Sequence, residues 1–539
     1  MSKRWTLFAV ILGSGIVFLD STIVPVALPR IGEELSSSWL GTLEAQSYVY
    51  YGYLLSLSAL LILAGALTDY FGRRRMFAVG LIGFGVTSVL CGVAVNMEML
   101  VLARVLQGAA GALLVPGSLA IITAMFEGEE QGRAFGIWAG ASAATTILGP
   151  VIGGALVETI SWRAAFWINV PLVVWALWAT LTKMPESRDE EATGRVDWVG
   201  AIVVAAAVGG LTFGVIRGES QQWNDPVAFV SLVIGVLASI AFPIWMARSP
   251  NPLVPIELFR SRNFNVTNIS TLLIYGAIYV MVQFAALFMI GVLGYSEIGF
   301  GIATIPSTLF LALFSTKFGA LADRFGPRLF MAVGPAVMGL GLLWFVRMPA
   351  DSEPWRFDLG EPSTFVPPRD LLVDVLPALV LFGIGLMIMV APLTTALMRS
   401  VPVRHSGVAS AFNNAVSRVG PQLAGALIFI AISASFYAYL TSEVPEIPPE
   451  TAREQVTPLN PVDDDVEPRL QSAAHQASTR SFHVAMLVAA LMCFGGAAVN
   501  AVGIRNPAKA PEEPREPEEP KRHPVTPCHQ SPPVEAPTT

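Results

Sequence analysis

Charge is what this sequence has least of. Only 14% of its 539 residues are Asp, Glu, Lys or Arg, where an ordinary soluble domain carries about a quarter. That is too little polar surface to cover a water-soluble chain of this size. Cysteine is nearly missing as well: Cys91 and Cys493 fall in apolar runs and Cys528 near the end, which makes neither a disulfide framework nor a metal site. No phosphate-binding loop, zinc motif or nucleophile elbow is present, so an ATP-driven pump or a membrane enzyme is disfavoured. The alternating ten-residue segments of a transmembrane β-barrel are absent too.

Long apolar runs stand in place of charge. Hydrophobic residues make up 53% of the chain and the mean hydropathy is +0.59. Runs of about 18 residues or more recur, each long enough to cross about 30 Å of hydrocarbon as helix. Spans are expected near 6–29, 45–67, 77–96, 99–125, 134–158, 164–182, 197–216, 227–247, 264–293, 299–321, 329–348, 371–398, 407–440 and 481–504. These fourteen describe an all-α polytopic membrane protein. The opening MSKRW and its apolar sequel mimic a signal peptide, but Asp20 interrupts the run and no convincing cleavage site follows. The segment therefore reads as a retained first helix.

Loop basicity gives the orientation. Arg73, Arg74, Arg75, Arg260 and Arg262 lie in loops on one side, whereas the connections 96–99 and 293–299 carry no base. The positive-inside rule then places both termini in the cytoplasm of a multi-pass plasma (inner) membrane protein. Residues 349–370 and 441–480 read as outside loops, the second containing PVDDDVEP. The Pro/Glu-rich tail, 505–539, cannot bury a core and is expected to be disordered, either as inert solvation or as a partner-binding segment.

One stretch occurs twice. GALTDYFGRRRMFAVG begins at residue 65 and GALADRFGPRLFMAVG at residue 319, an offset of 254, and ten of the sixteen positions agree. Setting aside a central linker, 183–262, with its two spans near 197–216 and 227–247, each copy follows the second helix of a six-helix half: 1–182 and 263–504. Two halves repeated in parallel, with both copies on the cytoplasmic side, are the plan of the major facilitator fold. The chain resembles the major facilitator superfamily, and within it the fourteen-helix drug:proton antiporters. Gly65, Asp69, Gly72, Arg73 and Arg74 match that superfamily's loop motif, and Asp323, Gly326 and Arg328 persist in the second copy, where Pro327 replaces the first arginine. An acid beside an arginine cluster can clamp neighbouring helices and release them in another state, so these eight residues form a candidate cytoplasmic gate. A positive-inside anchor is the plainer alternative.

Within the spans, LDSTIVPVALP (19–29) contains Asp20, separated from Arg4 by fifteen uncharged residues, about 22 Å of helix. A carboxylate at that depth costs at least about 2.5–3.5 kcal/mol on insertion scales and marks a function by default. Low dielectric favours the neutral acid, which suits a reversible proton carrier. Thr22 or neighbouring helices could instead satisfy it structurally. RVLQGAAGA (104–112) puts Arg104 and Gln107 one turn apart, and a buried arginine needs a counterpart, for which Asp20 is the obvious candidate. Both stretches resemble family motifs, and the resemblance implies proton transfer; a fixed structural ion pair is the other reading. Pro25 stands where the family usually has Asn. Gly149, Pro150, Gly153 and Gly154 resemble the motif of antiporters rather than symporters, although close helix packing alone would explain the small residues. SWRAAFWINVP (161–171) is a further fourteen-helix match, read as structural.

For a substrate cavity, Tyr275, Tyr279 and Gln283 repeat at every fourth position, and Tyr48, Tyr50, Tyr51 and Tyr53 crowd the second span. Asn413, Asn414 and Arg418 interrupt an apolar run, and Met387 and Met389 lie in the one before it. Aromatics, methionine and a few amides make an adaptable surface; interhelical bonding would also account for the amides. His405 and His483 are isolated near span ends. The expectation is a non-enzymatic multidrug efflux antiporter working as a monomer by alternating access. Its partners would be a lipophilic small molecule and the bilayer, without nucleic acid, and it would use no cofactor beyond the proton as coupling ion. A dedicated exporter of one endogenous metabolite or lipid, a proton-coupled importer, and a non-transport scaffold or sensor are the alternatives.

Overall fold

The computed structural model describes residues 2–38, 40–126, 128–187, 197–250, 252, 254–401, 406–463 and 466–506, and residues Met1–Arg505 form one compact unit. All regular structure among the described residues is helical. The first half contains α1 (Lys3–Glu34), α2 (Thr42–Phe71), α3 (Arg73–Gly92), α4 (Met97–Met125), α5 (Gly128–Thr159) and α6 (Ala164–Lys183). The linker contributes α7 (Trp198–Ser220) and α8 (Pro226–Arg248). The second half contains α9 (Arg262–Val292), α10 (Glu297–Phe325), α11 (Pro327–Phe345), α12 (Leu371–Arg399), α13 (Ser406–Glu443) and α14 (Pro468–Gly503). Twelve helices are long and apolar enough to cross a membrane among the described residues. Helices α2 and α5, of 30 and 32 residues, contain several residues whose side chains are not described and are not among the twelve.

The helix ends follow from the chemistry of the cut. In hydrocarbon every backbone N–H must be paired within its helix, so side-chain capping belongs at the watery ends. Asn96, Asp197, Asp225, Ser261 and Ser296 each accept a backbone N–H of the first turn that follows. The two repeated loops end differently. Gly72 and Gly326 adopt φ of +102° and +87°, a region open to glycine at little cost, and each turns one helix directly into the next.

Helices approach closely where side chains are small. A Cβ at Gly210 would press on the backbone of Gly235 at 2.7 Å, which joins α7 to α8, and Gly334 likewise meets Gly385 of α12. Helix α7 packs against α2 and α13, whereas α8 rests almost entirely on α7. Only 11% of the apolar stretch of α8 is buried, against 72% for α9; Phe229, Val233 and Leu237 point outward. The linker pair is therefore an outer appendage on the seam between the halves.

Two expectations shift. α14 begins at Pro468 rather than near 481, and Pro449–Gln455 is a short helix, so the described part of 441–480 is folded. Its apolar residues explain this: Val444, Ala452, Val456, Leu470 and Ala474 bury themselves with Phe436 and Leu440 of α13. α4 is also not continuous, being interrupted at Ala112 and Leu113. The tail from 507 and His405 lie outside the described residues.

Candidate functional site

Asp20 is fully buried at the middle of α1, and so are Arg104 and Gln107 on α4. The Arg104 guanidinium donates from Nη1 to Asp20 Oδ2 at 2.6 Å and to Gln107 Oε1 at 2.7 Å, and from Nε to the Val49 carbonyl at 3.1 Å. Gln107 Nε2 donates to Asp20 Oδ1 at 3.2 Å and to Ser88 Oγ at 3.1 Å. Asn169 Nδ2 reaches the same two oxygens at 3.4 and 3.0 Å, and Ser88 donates to the Phe166 carbonyl. The guanidinium lies over the Tyr53 ring, 4.2 Å from its centroid. One carboxylate thus ties together α1, α2, α3, α4 and α6. A proton added to it would weaken a charge-assisted bond on which five helices converge.

The sequence reading brought Asp20, Arg104 and Gln107 together, missed Ser88 and Asn169, and grouped Tyr53 with the cavity tyrosines instead. Asn169 sits inside SWRAAFWINVP, read as structural, yet an amide in an apolar run is the same signal that drew attention to Asn413. The rest of that motif does tie helices: Trp162 Nε1 and Arg163 Nη1 both donate to Glu34 at the end of α1, at 2.9 and 2.8 Å.

The glycines of α5 face two ways. A Cβ at Gly149 would overlap the Thr22 side chain, and one at Gly153 would press on Ile23 at 3.1 Å, both on α1. A Cβ at Gly154 would land on the Glu297 carbonyl of α10, and one at Gly301 on the Pro150 carbonyl at 2.5 Å. The motif is a seam between the halves, and the gap Pro150 leaves in the backbone ladder lies within it.

Other ties across the halves gather at one end. Arg30 Nε donates to Glu297 at 2.7 Å, and the Ile298 N–H to Glu158 at 3.1 Å. Gln46 and Asn460 exchange amide bonds at 2.7 and 3.1 Å, so the folded 441–480 segment is fastened to α2. Midway along, Gln422 donates to Ser58 at 3.3 Å and a Cβ at Gly425 would strike the Tyr51 hydroxyl. At the opposite end, where Gly72 and Gly326 lie, nothing comes within 4 Å of a Cβ built on Gly65, and Tyr70, Phe71 and Phe325 are exposed.

The side chains of Asp69 and Asp323 lie outside the described residues. The arginines of the two loops make matching contacts. Arg74 Nη2 donates to the Leu181 carbonyl at 2.6 Å and Arg328 Nε to the Ala501 carbonyl at 2.6 Å, each near the C-terminus of the last helix of its own half. The Arg73 N–H donates to Ser187 and the Arg74 N–H to Glu186. Cations suit these orphan carbonyls and the negative end of the helix dipole.

The residues grouped for a substrate cavity divide. Tyr48 does not belong to it: its ring stacks on Phe213 of α7 at 5.2 Å and its hydroxyl donates to Glu44 and to the Phe213 carbonyl. It faces the linker helices, where Glu44 also meets Arg217 and Ser220. Asn413 donates to Asn268 and Thr271 of α9, both at 2.9 Å, and Asn414 to the Ser410 carbonyl of its own helix, which is the interhelical and local bonding left open as the alternative. Met387 is buried in α12 and Met389 packs on Gly334. Tyr275, Tyr279 and Gln283 remain on one face, with Arg418 Nη1 donating to the Tyr279 hydroxyl and the Tyr50 ring 6.4 Å from that of Tyr279. His483 hydrogen-bonds the Met348 carbonyl, a structural contact.

The model of the Major Facilitator Superfamily matches residues 10–426. The chain belongs to that superfamily. It is 32% identical over 432 residues to the tetracenomycin C resistance and export protein of Streptomyces glaucescens, covering 80% of this chain and 76% of that one. It is 32% identical over 446 residues to the puromycin resistance protein of Streptomyces alboniger, covering 81% and 84%, and 30% identical over 447 residues to the multidrug resistance protein Stp of Mycobacterium tuberculosis, covering 82% and 79%. Among solved structures, a bacterial homologue of the human lysosomal transporter Spinster in an inward-facing, unoccupied conformation aligns with a TM-score of 0.60 at 17% identity, covering 94% of this chain and 99% of that one. At that identity the likeness concerns the fold. The chain is accordingly a multi-pass membrane transporter of the major facilitator type, in the company of drug and antibiotic resistance proteins.

Proposed function

We propose that this transporter is a proton-coupled antiporter that exports amphipathic small molecules by alternating access, with fourteen membrane spans, α2 and α5 completing the set. The observation that carries the reading is the buried Asp20–Arg104 pair, 2.6 Å apart with neither side chain exposed. A buried pair is weak as a source of stability, because desolvation offsets the attraction. Its placement at the junction of five helices suits a switch that a proton can throw. Protonation of Asp20 leaves Arg104 with Gln107 and the Val49 carbonyl and loosens α1 from α4. Since α1 also carries Arg30 of the closed end and lies against the glycine seam of α5, a shift there reaches the contacts between the halves. The loops at Gly72 and Gly326 then act as the gate at the open end, on the cytoplasmic side with both termini. The proton is the coupling ion, no cofactor takes part, and a monomer suffices.

The activities for which the relatives are named, antibiotic or multidrug resistance and in one case export, support the cargo class. Two of them are named for a single compound, which favours a dedicated exporter as the second reading. The test is dye or drug efflux from energised vesicles. Asp20→Asn, correctly inserted, is expected to lose efflux that depends on the proton gradient; full, uncoupler-sensitive efflux by that variant overturns the assignment. A panel of unrelated lipophilic compounds then separates the two readings by how many of them compete.

A further inference from the structure

The second half contains a buried arginine that the coupling pair does not use. Arg418 lies well inside α13, 9% exposed, and among the described residues no carboxylate stands within ion-pair distance of it. Its Nη1 donates to the Tyr279 hydroxyl, and its guanidinium carbon lies 5.4 Å from the centre of that ring. The side chains around it are those of Tyr279, Tyr53, Tyr50 and Tyr275, which are tyrosines and not carboxylates. A guanidinium in such a place is expected to have an anion, carbonyls or water opposite it.

Two neighbouring polar groups are unsatisfied among the described residues. The Tyr50 hydroxyl, on a residue 1% exposed, has no hydrogen-bond partner, and neither does either atom of the Gln283 amide, which is fully buried one turn beyond Tyr279 on the same face. Buried polar atoms are nearly always paired, so two unpartnered groups on facing helices, beside a buried guanidinium, describe a place prepared for a polar ligand. Asn414, one turn from Arg418 towards the end where Gly72 and Gly326 lie, is exposed. Tyr53 adjoins both centres, its ring beneath Arg104 and its hydroxyl within electrostatic reach of Arg418.

We infer that Arg418, with Tyr279, Tyr50 and Gln283, forms a subsite for the acidic group of the cargo, so that the transporter accepts amphiphiles carrying a carboxylate or an ionised phenol. This rests on the export reading and specifies its substrate class. The planar guanidinium takes a carboxylate in two parallel bonds, or a phenolate in one, while the tyrosine rings hold the apolar body. Cargo charge then meets Arg418 in the second half, and the proton meets Asp20 in the first.

The experiment compares dansyl-undecanoic acid with its methyl ester, bound to the purified full-length protein in nanodiscs. These two probes share the apolar body and differ in charge. The acid is expected to bind the native protein at least about tenfold more tightly. In Arg418→Gln that preference falls to within about twofold, and Arg418→Lys recovers part of it. Retained ester binding shows that the variant is folded. Equal binding of acid and ester by the native protein, or an undiminished preference in a folded Arg418→Gln, overturns the acidic subsite and leaves export of amphiphiles standing. Binding of neither probe by the native protein, together with no efflux of a drug panel, overturns the export reading and the subsite with it.

Discussion

Two arginines lie deep in the helices of this transporter, and the halves treat them oppositely. In the first half Arg104 has no exposed surface and meets Asp20, Gln107, the Val49 carbonyl and the Tyr53 ring. In the second half Arg418 keeps a little exposure and meets the Tyr279 hydroxyl and ring. The folds of the halves repeat, down to matching arginines at 74 and 328 that cap the last helix of each. The polar centres do not repeat. One half holds a circuit built on an ion pair, and the other holds an arginine set against tyrosines with no carboxylate in ion-pair distance among the described residues.

The largest test of that contrast is Arg104→Gln. Removing one partner of a buried pair strands the other, at a cost of about 3–5 kcal/mol. Thermal unfolding in detergent should show a large drop for this variant. Adding Asp20→Asn to it should recover most of the loss, because the stranded charge is gone. If the double variant is as unstable as the single one, Asp20 is held by something other than Arg104 and the circuit is misread.

A second test strikes the seam that would carry the signal between the halves. Gly154→Val puts a branched side chain where the Glu297 carbonyl already sits, and overpacking of this kind costs about 1–3 kcal/mol. The strain is relieved only if α5 moves away from α10, so the variant should favour opening of the end fastened by Arg30, Gln46 and Glu158. Cysteine labelling at position 37, in the short loop after α1, should become faster. Unchanged labelling in a stable variant would make the seam passive.

Asn169→Ala is a smaller and more selective cut. It removes the amide that spans Asp20 and Ser88 and leaves Gln107 to hold both. A cost of about 1–2 kcal/mol is expected, with a shift in the pH dependence of efflux, since one donor to the ionised carboxylate is lost. A stability loss with an unmoved pH profile would reduce Asn169 to packing.

Much of the first half was legible because its signals are local. A lone acid deep in an apolar run, an arginine that needs a partner, and a glycine stripe each declare themselves within one helix, and Asp20, Arg104, Gln107 and Gly149–Gly154 were found this way. The closing contacts come from pairs far apart in the chain. Gln46 meets Asn460 across 414 residues, and no periodicity announces that. Tyr48 looked like its neighbours Tyr50, Tyr51 and Tyr53, yet the two-residue step from its position to that of Tyr50 turns a side chain by about 200° on a helix, enough to send it to α7 instead. The folded segment 441–480 was hidden by its proline and acids, although the apolar residues that bury it are spaced between them.

The smallest expected effect belongs to Arg418→Gln, and it decides the comparison most directly. This change loses a charge-assisted bond to Tyr279, worth about 1.5–3 kcal/mol in general. It also removes a cation that has no carboxylate opposite it among the described residues, which relieves a desolvation cost of similar size. Stability should therefore move by no more than about 1 kcal/mol, a fraction of the loss expected for Arg104→Gln. The two variants make the same chemical change at buried positions, so differential unfolding of both under one set of conditions isolates the partner's contribution. A loss at position 418 as large as at 104 would mean that Tyr279 alone anchors the charge, and Arg418 would then be a brace between α9 and α13. A small loss, with ester binding intact, leaves the guanidinium free to answer to a ligand.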